Sequence, residues 1–318
     1  MHIPEGMLSV PVTAVAAVVA FTTVAYAVSW VRRHLDERKV VLMAVLGALI
    51  FALQMLNFPI QAGTSGHFAG GALAAILLGP WPAVLVMTAV LGVQAFLFAD
   101  GGIIALGANI LNLGIIAPLI GYVAYRAACR LSPGRGGRLA GAFLGAWLSV
   151  LLAALAVAAE LGLSGTAHPE LAAIAMGGTH ALIGLGEGFI TSALVAYLLA
   201  VRPDLVGEAS PQTRRSSLRG VTLTLATIAL LAASLSFLAS AAPDGLEWIY
   251  FERGIGDAQS VAQAPQLLGE GGPLADYQVA GVENEALGSA LAGLVGLTIV
   301  GGLLALVAWR RRNPPAPT

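Results

Sequence analysis

Apolar residues come in long blocks along this chain, separated by short polar stretches. A helix of about 20 apolar residues crosses a hydrocarbon core about 30 Å thick, and most of the blocks reach that length. The third block ends early, at Gly79-Pro80-Trp81-Pro82, so its length alone does not guarantee a full span. The pattern predicts nine membrane-spanning helices, at about residues 11–31, 40–57, 68–79, 81–99, 103–127, 138–161, 171–201, 219–241 and 287–309.

The composition of the chain agrees with this pattern. Hydrophobic residues make up 58% of the 318 residues and charged residues only 10%, whereas a soluble domain carries about 25% charged residues. So few charges cannot cover a water-exposed body with polar surface. The sequence therefore predicts an all-α integral membrane protein and excludes a water-soluble globular one.

The basic residues indicate how the chain is oriented in the membrane. Cytoplasmic loops carry an excess of Lys and Arg. If the N-terminus lies outside, fifteen of the sixteen basic residues fall on the cytoplasmic side and only Arg253 lies outside. Because a miscount by one helix would scramble this distribution, it supports nine spans with the N-terminus outside and the C-terminus inside.

A polar seam after the seventh span divides the chain. Residues 202–218, which include Arg214 and Arg215, are predicted to form a cytoplasmic linker. Before it lies a seven-helix body, residues 1–201. After it lies a two-helix accessory module, residues 219–318, whose long outer loop at 242–286 is acidic. We expect this acidic loop to lie apart from the chemistry at the N-terminus.

The N-terminus carries the most specific chemistry. No basic segment of a cleavable signal peptide precedes the first apolar block, so Met1 and its free amine are expected to be retained. The α-amine, the deprotonated amide nitrogen of His2 and His2 Nδ1 can close two fused chelate rings around one ion. Three nitrogens in one plane suit Ni(II) or Cu(II). His67, in a loop on the same predicted side of the membrane, is the best candidate for a fourth nitrogen.

Several motifs over residues 1–201 resemble, in order, those of the CbiM/NikM family, the substrate-capture subunits of energy-coupling-factor cobalt and nickel transporters. Glu5 is the main departure, at a position where many members have Asp. The matching stretches are 1–9, Asn57-Phe58-Pro59, Thr64–His67, Leu77–Trp81, Asp100–Gly102, Leu106–Asn109 and His180–Gly188.

The resemblance implies a metal site made of the Met1 amine, the backbone and side-chain nitrogens of His2, and His67. It implies Ni2+ or Co2+ as the transported substrate, and no organic cofactor. It implies, as partners, a transmembrane coupling subunit and two ATPase subunits in a bacterial or archaeal plasma membrane. Pro243-Asp244-Gly245-Leu246-Glu247 also resembles the PDGLE element of the small accessory subunit, which indicates a built-in accessory module.

Other polar residues at membrane depth have open roles. Asn109 either packs structurally or braces the metal loop. His180 and Glu187 are seven residues apart and share a helix face. They are predicted either to pair and lock helices together or to take part in metal release, and neither is expected to be a ligand.

The chain has no G-x-x-x-x-G-K-[ST] sequence and no H-E-x-x-H sequence, so neither ATP hydrolysis nor zinc-protease chemistry is indicated. Uptake against a gradient therefore needs a partner for energy. The alternatives are a stand-alone passive metal permease and an integral-membrane metalloenzyme. The planar chelate favours nickel over cobalt, but the sequence does not separate the two metals.

Overall fold

The structure is a computed structural model that describes residues 1–34, 37–60, 63–206, 218–234, 239–240, 242–256, 259, 261 and 272–312. Most of the predicted linker lies outside these ranges, including Arg214 and Arg215. Asp257 and Glu270 of the predicted acidic loop lie outside them as well.

Helices form almost all of the body. Two π-helical stretches extend or join these helices. Gln94–Phe98 continues the helix Pro80–Val93, and Ile110–Ile116 connects Leu106–Asn109 to Ala117–Leu131 in one continuous helix. The helices are α1 (Val10–His34), α2 (Glu37–Gln54), α3 (Gly71–Leu78), α4 (Pro80–Val93), α5 (Leu106–Asn109), α6 (Ala117–Leu131), α7 (Arg135–Ser164) and α8 (Pro169–Val201).

The described residues contain six helical stretches long and apolar enough to cross a membrane, which confirms an all-α membrane architecture. Two further predicted blocks form shorter apolar helices, Lys39–Gln54 and Thr222–Ser234. The six stretches are Val10–His34, Pro80–Phe98, Leu106–Leu131, Arg135–Ser164, Pro169–Val201 and Glu285–Leu306.

The third predicted block is too short to span. Helix α3 has eight residues, all of them buried, and at 1.5 Å per residue it rises only about 12 Å. It ends at Gly79, where φ is 90°, and Pro80 then begins α4. Proline is favoured at the first position of a helix because its missing N–H is not needed there. Helix α3 therefore does not cross the hydrocarbon core by itself, but with α4 it returns the chain to the side of His67, because His67 before α3 and Asp100 after α4 both contact His2.

The accessory module packs against α2 of the body through both of its long helices. Its elements are α9 (Leu218–Ser234), α10 (Gly245–Glu247) with a π-helical extension at Trp248–Glu252, a 3-10 turn at Ala275–Tyr277, and α11 (Glu285–Arg312). Gly296 of α11 lies against Phe51 of α2, and a Cβ added there would meet the Phe51 ring at 2.1 Å. Such glycines allow close approach of membrane helices.

A short β-hairpin follows α2 and leads directly to His67. Strands β1 (Phe58–Pro59) and β2 (Ser65–Gly66) pair antiparallel, with Phe58 opposite Gly66. The accessory module joins this hairpin, because the Ser65 amide donates to the Pro243 carbonyl at 2.9 Å. The body and the accessory module thus meet at Ser65, two residues before His67.

Candidate metal site

The N-terminal segment runs into the body and is held by a side-chain amide. Met1, Ile3 and Met7 are buried. The Ile3 amide donates to Asn109 Oδ1 at 2.7 Å, and Asn109 Nδ2 donates to the Ile3 carbonyl at 3.0 Å. One carboxamide therefore satisfies both backbone groups of a single residue, as a neighbouring strand would. Asn109, whose role the sequence left open, positions the backbone that carries Met1 and His2.

A glycine pair holds the other side of this segment. The Gly102 amide donates to the Ile3 carbonyl at 2.8 Å. A Cβ on Gly102 would lie 2.8 Å from both the backbone nitrogen and the carboxylate of Glu5. Glu5 Oε1 in turn accepts from the Ile104 amide at 3.0 Å. The backbones at Gly102 and Glu5 approach so closely that no larger residue fits at Gly102. The Glu5 carboxylate has the Ile104 amide as its specific partner.

The structure brings Met1, His2 and His67 together. The Met1 nitrogen lies 3.1 Å from His67 Nε2. The His2 and His67 rings stack with centroids 5.2 Å apart and planes inclined by 16°. All three residues are buried. An amine and two imidazoles separated by 66 residues in sequence therefore share one small space.

A buried carboxylate on α8 fixes the loop that carries His67. Glu187 Oε2 accepts from the Ala69 amide at 2.7 Å, and its Oε1 accepts from the Gly70 amide at 2.8 Å. These amides lie at and just before Gly70, the N-cap of α3, where a negative charge is favourable. Glu187 thus binds the backbone that leads into α3 and holds it two residues beyond His67.

The pairing of His180 with Glu187, one of the two roles that the sequence left open for them, is not formed. Both residues are buried in α8, but His180 Nδ1 contacts the Met176 carbonyl at 2.9 Å, while both Glu187 oxygens bind backbone amides of the α3 loop. Seven-residue spacing places two side chains on one face of a helix, yet each can turn to a different neighbour. His180 lines a small cavity, about 10 Å³, together with Met1, His67 and Asp244.

Two carboxylates contact the nitrogen donors, and the sequence did not predict either contact. Asp244, in the PDGLE element, forms an ion pair with the Met1 ammonium, and its Oδ2 lies 3.9 Å from His67 Nε2. Asp100 Oδ1 lies 3.0 Å from His2 Nδ1. The expectation that the acidic accessory loop lies apart from the N-terminal chemistry is therefore wrong, because Ser65 draws residues 242–244 onto the hairpin beside His67.

Burial and charge set the protonation of the loop residues in the site. Burial, the Met1 ammonium and His2 lower the pKa of His67 to about 3, so its imidazole is neutral at pH 7. Burial opposes the ionisation of Asp100 and of Asp244, but the nearby positive groups outweigh it. The pKa of each carboxyl is held below its usual range, by His2 for Asp100 and by the Met1 ammonium for Asp244. The neutral imidazole of His67 is therefore available as a nitrogen donor.

The donor set is mainly nitrogen, and it includes backbone groups. The described residues contain no group of three or more His, Cys, Asp and Glu side chains placed to hold a metal ion. The terminal amine and the His2 amide are further nitrogen donors beside the two rings. In this structure His2 Nδ1 faces Asp100, so closing the chelate requires the His2 ring to turn away from that carboxylate.

Comparison with known proteins agrees with this division of the chain. The family model for the cobalt uptake substrate-specific transmembrane region, CbiM, matches residues 2–205, and the PDGLE domain matches residues 219–313. The fused nickel transport protein NikMN of Rhodobacter capsulatus is 33% identical over 94% of this chain and 95% of its own length. The cobalt transport protein CbiM of Sorangium cellulosum is 35% identical over 65% of this chain and 94% of its own length.

A solved structure is similar as well. The crystal structure of a truncated transition metal transporter superposes with a TM-score of 0.58 at 37% sequence identity, covering 63% of this chain and 99% of that one. The predicted resemblance is thus confirmed, and so is a multi-pass membrane protein that acts as a transport component rather than an enzyme. With a matching body, a matching accessory module and a buried amine–imidazole cluster between them, this chain belongs to the CbiM family of cobalt uptake transmembrane proteins, fused to a PDGLE domain.

Proposed function

We propose that this chain is the metal-capturing membrane subunit of an ATP-driven energy-coupling-factor importer for Ni2+ or Co2+. The observation that carries the proposal is the meeting of the Met1 nitrogen with His67 Nε2, 3.1 Å apart, beside the stacked ring of His2. An amine and imidazoles are donors that bind late first-row divalent metals well. The neutral imidazole of His67 can bind a metal directly, whereas the Met1 ammonium has to lose a proton first.

The metal ligands in this proposal are the Met1 amine, the His2 amide nitrogen, His2 Nδ1 and His67 Nε2. The first three close two fused rings on one ion, and His67 supplies the fourth nitrogen. Asn109 and Glu187 hold the two backbones that carry these donors, at Ile3 and at Ala69–Gly70. Four nitrogens in a plane favour Ni2+ over Co2+, both through geometry and through the affinity order of divalent metals.

Energy and direction come from partners in this proposal. The sequence has no ATP-binding loop, so a transmembrane coupling subunit and two ATPase subunits reorient the capture body. The two modules are residues 1–201 and 219–318, joined by a cytoplasmic linker at 202–218. In this proposal the N-terminus, and with it the metal site, lies outside the cell, as the distribution of basic residues predicts.

The orientation can be tested with single cysteines in a Cys129→Ala background. Ser132 and Ala280 are both exposed, and they lie on opposite sides in the proposed topology. Ser132→Cys is expected to react with an impermeant thiol reagent only in opened cells, and Ala280→Cys in intact cells. Reaction of both from the same side would contradict the topology.

The N-terminal chelate is tested by changes that leave every side chain in place. One residue added before Met1 converts the amine into an amide, which is a poor donor, and it displaces the ring system. Calorimetry is expected to show loss of tight Ni2+ binding in this form and normal binding in a protein tagged after Thr318. Equal affinity in the two forms would contradict the chelate and the proposed function built on it.

A further inference from the structure

A second cavity lies beside the nitrogen donors, and carboxylates line it. Its volume is about 470 Å³, and both His2 and His67 line it. Four acidic side chains also line it, one from the body and three from the accessory module: Asp100, Asp244, Glu247 and Asp276. We call this cavity the acidic vestibule.

The carboxylates that line the vestibule outnumber the positive charge beside them, where the Met1 ammonium pairs with Asp244. None of the described residues that line it is a lysine or an arginine. A cleft lined by charges of one sign concentrates ions of the opposite sign and speeds their arrival. The vestibule therefore favours cations, and it favours divalent over monovalent ones because each carboxylate attracts the double charge more strongly.

The lining residues become less exposed toward the nitrogen donors. Glu247 and Asp276 are exposed. The side chain of Asp100 is 25% exposed and that of Asp244 14%, while His2 and His67 keep only 6% and 8%. One continuous cavity is thus lined by oxygen donors near the surface and by nitrogen donors in the interior.

An unpaired nitrogen at the inner end points to a ligand independently of the carboxylates. His2 is buried, and its Nε2 has no hydrogen-bond partner in the described part of the chain. A buried polar atom without a partner costs about 1–3 kcal/mol, so a water molecule or a hydrated ion in the vestibule is the natural partner for it.

The size and spacing of the lining indicate how such an ion is held. No three acidic or imidazole side chains of the described residues lie close enough together to ligate a metal directly. Six water molecules need roughly 180 Å³ at about 30 Å³ each, which the vestibule accommodates. Carboxylates spaced around a cavity of this size can accept hydrogen bonds from the waters of a hydrated ion without displacing them.

We propose that the acidic vestibule is a second cation site, which holds a hydrated divalent metal ion through its water shell before the ion reaches the nitrogen chelate. The inference deepens the proposed function and rests on it. Asp100 and Asp244 stand at the inner end, each in contact with one nitrogen donor. The ion therefore exchanges oxygen neighbours for nitrogen ligands as it moves inward, and the accessory module supplies three of the four carboxylates.

Mn2+ alone is a suitable probe, because it prefers oxygen ligands and binds nitrogen sites weakly. The full-length protein at low ionic strength is expected to bind one Mn2+ per chain, as followed by loss of the free-ion electron paramagnetic resonance signal. In the Glu247→Gln/Asp276→Asn double variant the Mn2+ affinity is expected to fall at least fivefold. The control is Glu252→Gln/Glu283→Gln, which removes two exposed carboxylates that do not line the vestibule.

His67→Ala separates this site from the chelate. It is expected to keep Mn2+ binding while it loses tight Ni2+ binding. Unchanged Mn2+ affinity in Glu247→Gln/Asp276→Asn, or loss of Mn2+ binding in His67→Ala, would overturn the second site. Either result leaves the N-terminal chelate intact as a proposal, because that chelate is judged by Ni2+ binding of the extended and C-terminally tagged proteins.

Discussion

The body and the accessory module meet at the metal donors but contribute different chemistry. The body supplies the nitrogen atoms that we propose as metal ligands, on Met1, His2 and His67, and its buried Asn109 and Glu187 bind the backbone next to them. The accessory module supplies carboxylates, with Asp244 on the Met1 ammonium and two exposed acids further out. Nitrogen binds nickel and cobalt tightly, whereas carboxylates suit hydrated, rapidly exchanging cations.

The difference also lies in how firmly each part is held. The nitrogen donors sit on backbone clamped by Asn109 and Glu187, both buried. Asp244 is held as the N-cap of α10, with its Oδ1 accepting from the amides of Leu246 and Glu247, and by the contact of its loop with Ser65. We infer that the body determines affinity and the accessory module determines access. The predictions below test that division, from the largest expected effect to the smallest.

His67→Ala is expected to weaken Ni2+ binding at least tenfold, or about 1.4 kcal/mol, because water has to replace an in-plane nitrogen. Isothermal titration calorimetry on the purified protein measures the change. The matched control is His168→Ala, an exposed histidine at the start of α8. Equal affinities for the two variants would make His67 an ordinary loop residue.

Glu187→Ala is expected to weaken Ni2+ binding by threefold to tenfold, near the lower end for residues that orient metal ligands. Two amides at the start of α3 lose a charged acceptor, which also lowers the thermal unfolding temperature. Glu170→Ala, an exposed carboxylate on the same helix, serves as the control. A lower unfolding temperature with wild-type affinity would show that Glu187 supports the fold and not the site.

Asn109→Ala is expected to weaken Ni2+ binding about threefold, because it removes two hydrogen bonds worth roughly 0.5–1.5 kcal/mol each from the backbone at Ile3. Asn109→Asp keeps an acceptor for the Ile3 amide but loses the donor to its carbonyl, so its affinity should fall between the two. Titrations of all three proteins give the order. Any other order would argue against a clamp on the N-terminal backbone.

Removal of the accessory module is expected to change equilibrium Ni2+ affinity least. A chain ending at Asp204 keeps all nitrogen donors and both clamps, so its affinity should stay close to that of the full chain, while uptake into cells with the coupling and ATPase subunits should stop. The sample must be monodisperse, because α11 covers part of α2. Loss of tight binding in a folded, truncated protein would break the division between affinity and access.

Much of the fold can be predicted from the sequence because each membrane helix is encoded by a continuous run of apolar residues. Six of the nine predicted segments form spanning-length helices, and the early end of the third at Gly79-Pro80 follows from the two residues that stop it. Met1, His2 and His67 were predicted from their donor chemistry and from the resemblance, and the structure brings them together. The sequence signals for Asn109 were its polarity at membrane depth and its place in the matching stretch Leu106–Asn109.

The contacts that were missed join residues far apart in the chain. Asp244 meets Met1 across 243 positions, and no local pattern encodes that approach. It depends on Ser65 binding the backbone at 242–243. Glu187 binds the amides of Ala69 and Gly70 instead of pairing with His180, which was one of the two roles left open for it. Pairing across modules is a property of packing, which spacing along one helix cannot give.

The most direct test of the N-terminal chelate is the magnetic and electronic state of bound nickel. Four in-plane nitrogens make Ni(II) diamagnetic, with a visible d–d band and no paramagnetic broadening of proton resonances. We predict that the full-length protein loaded with one Ni2+ shows this state and that the N-terminally extended protein does not. A paramagnetic, six-coordinate ion in the full-length protein, with oxygen neighbours by X-ray absorption, would contradict the account.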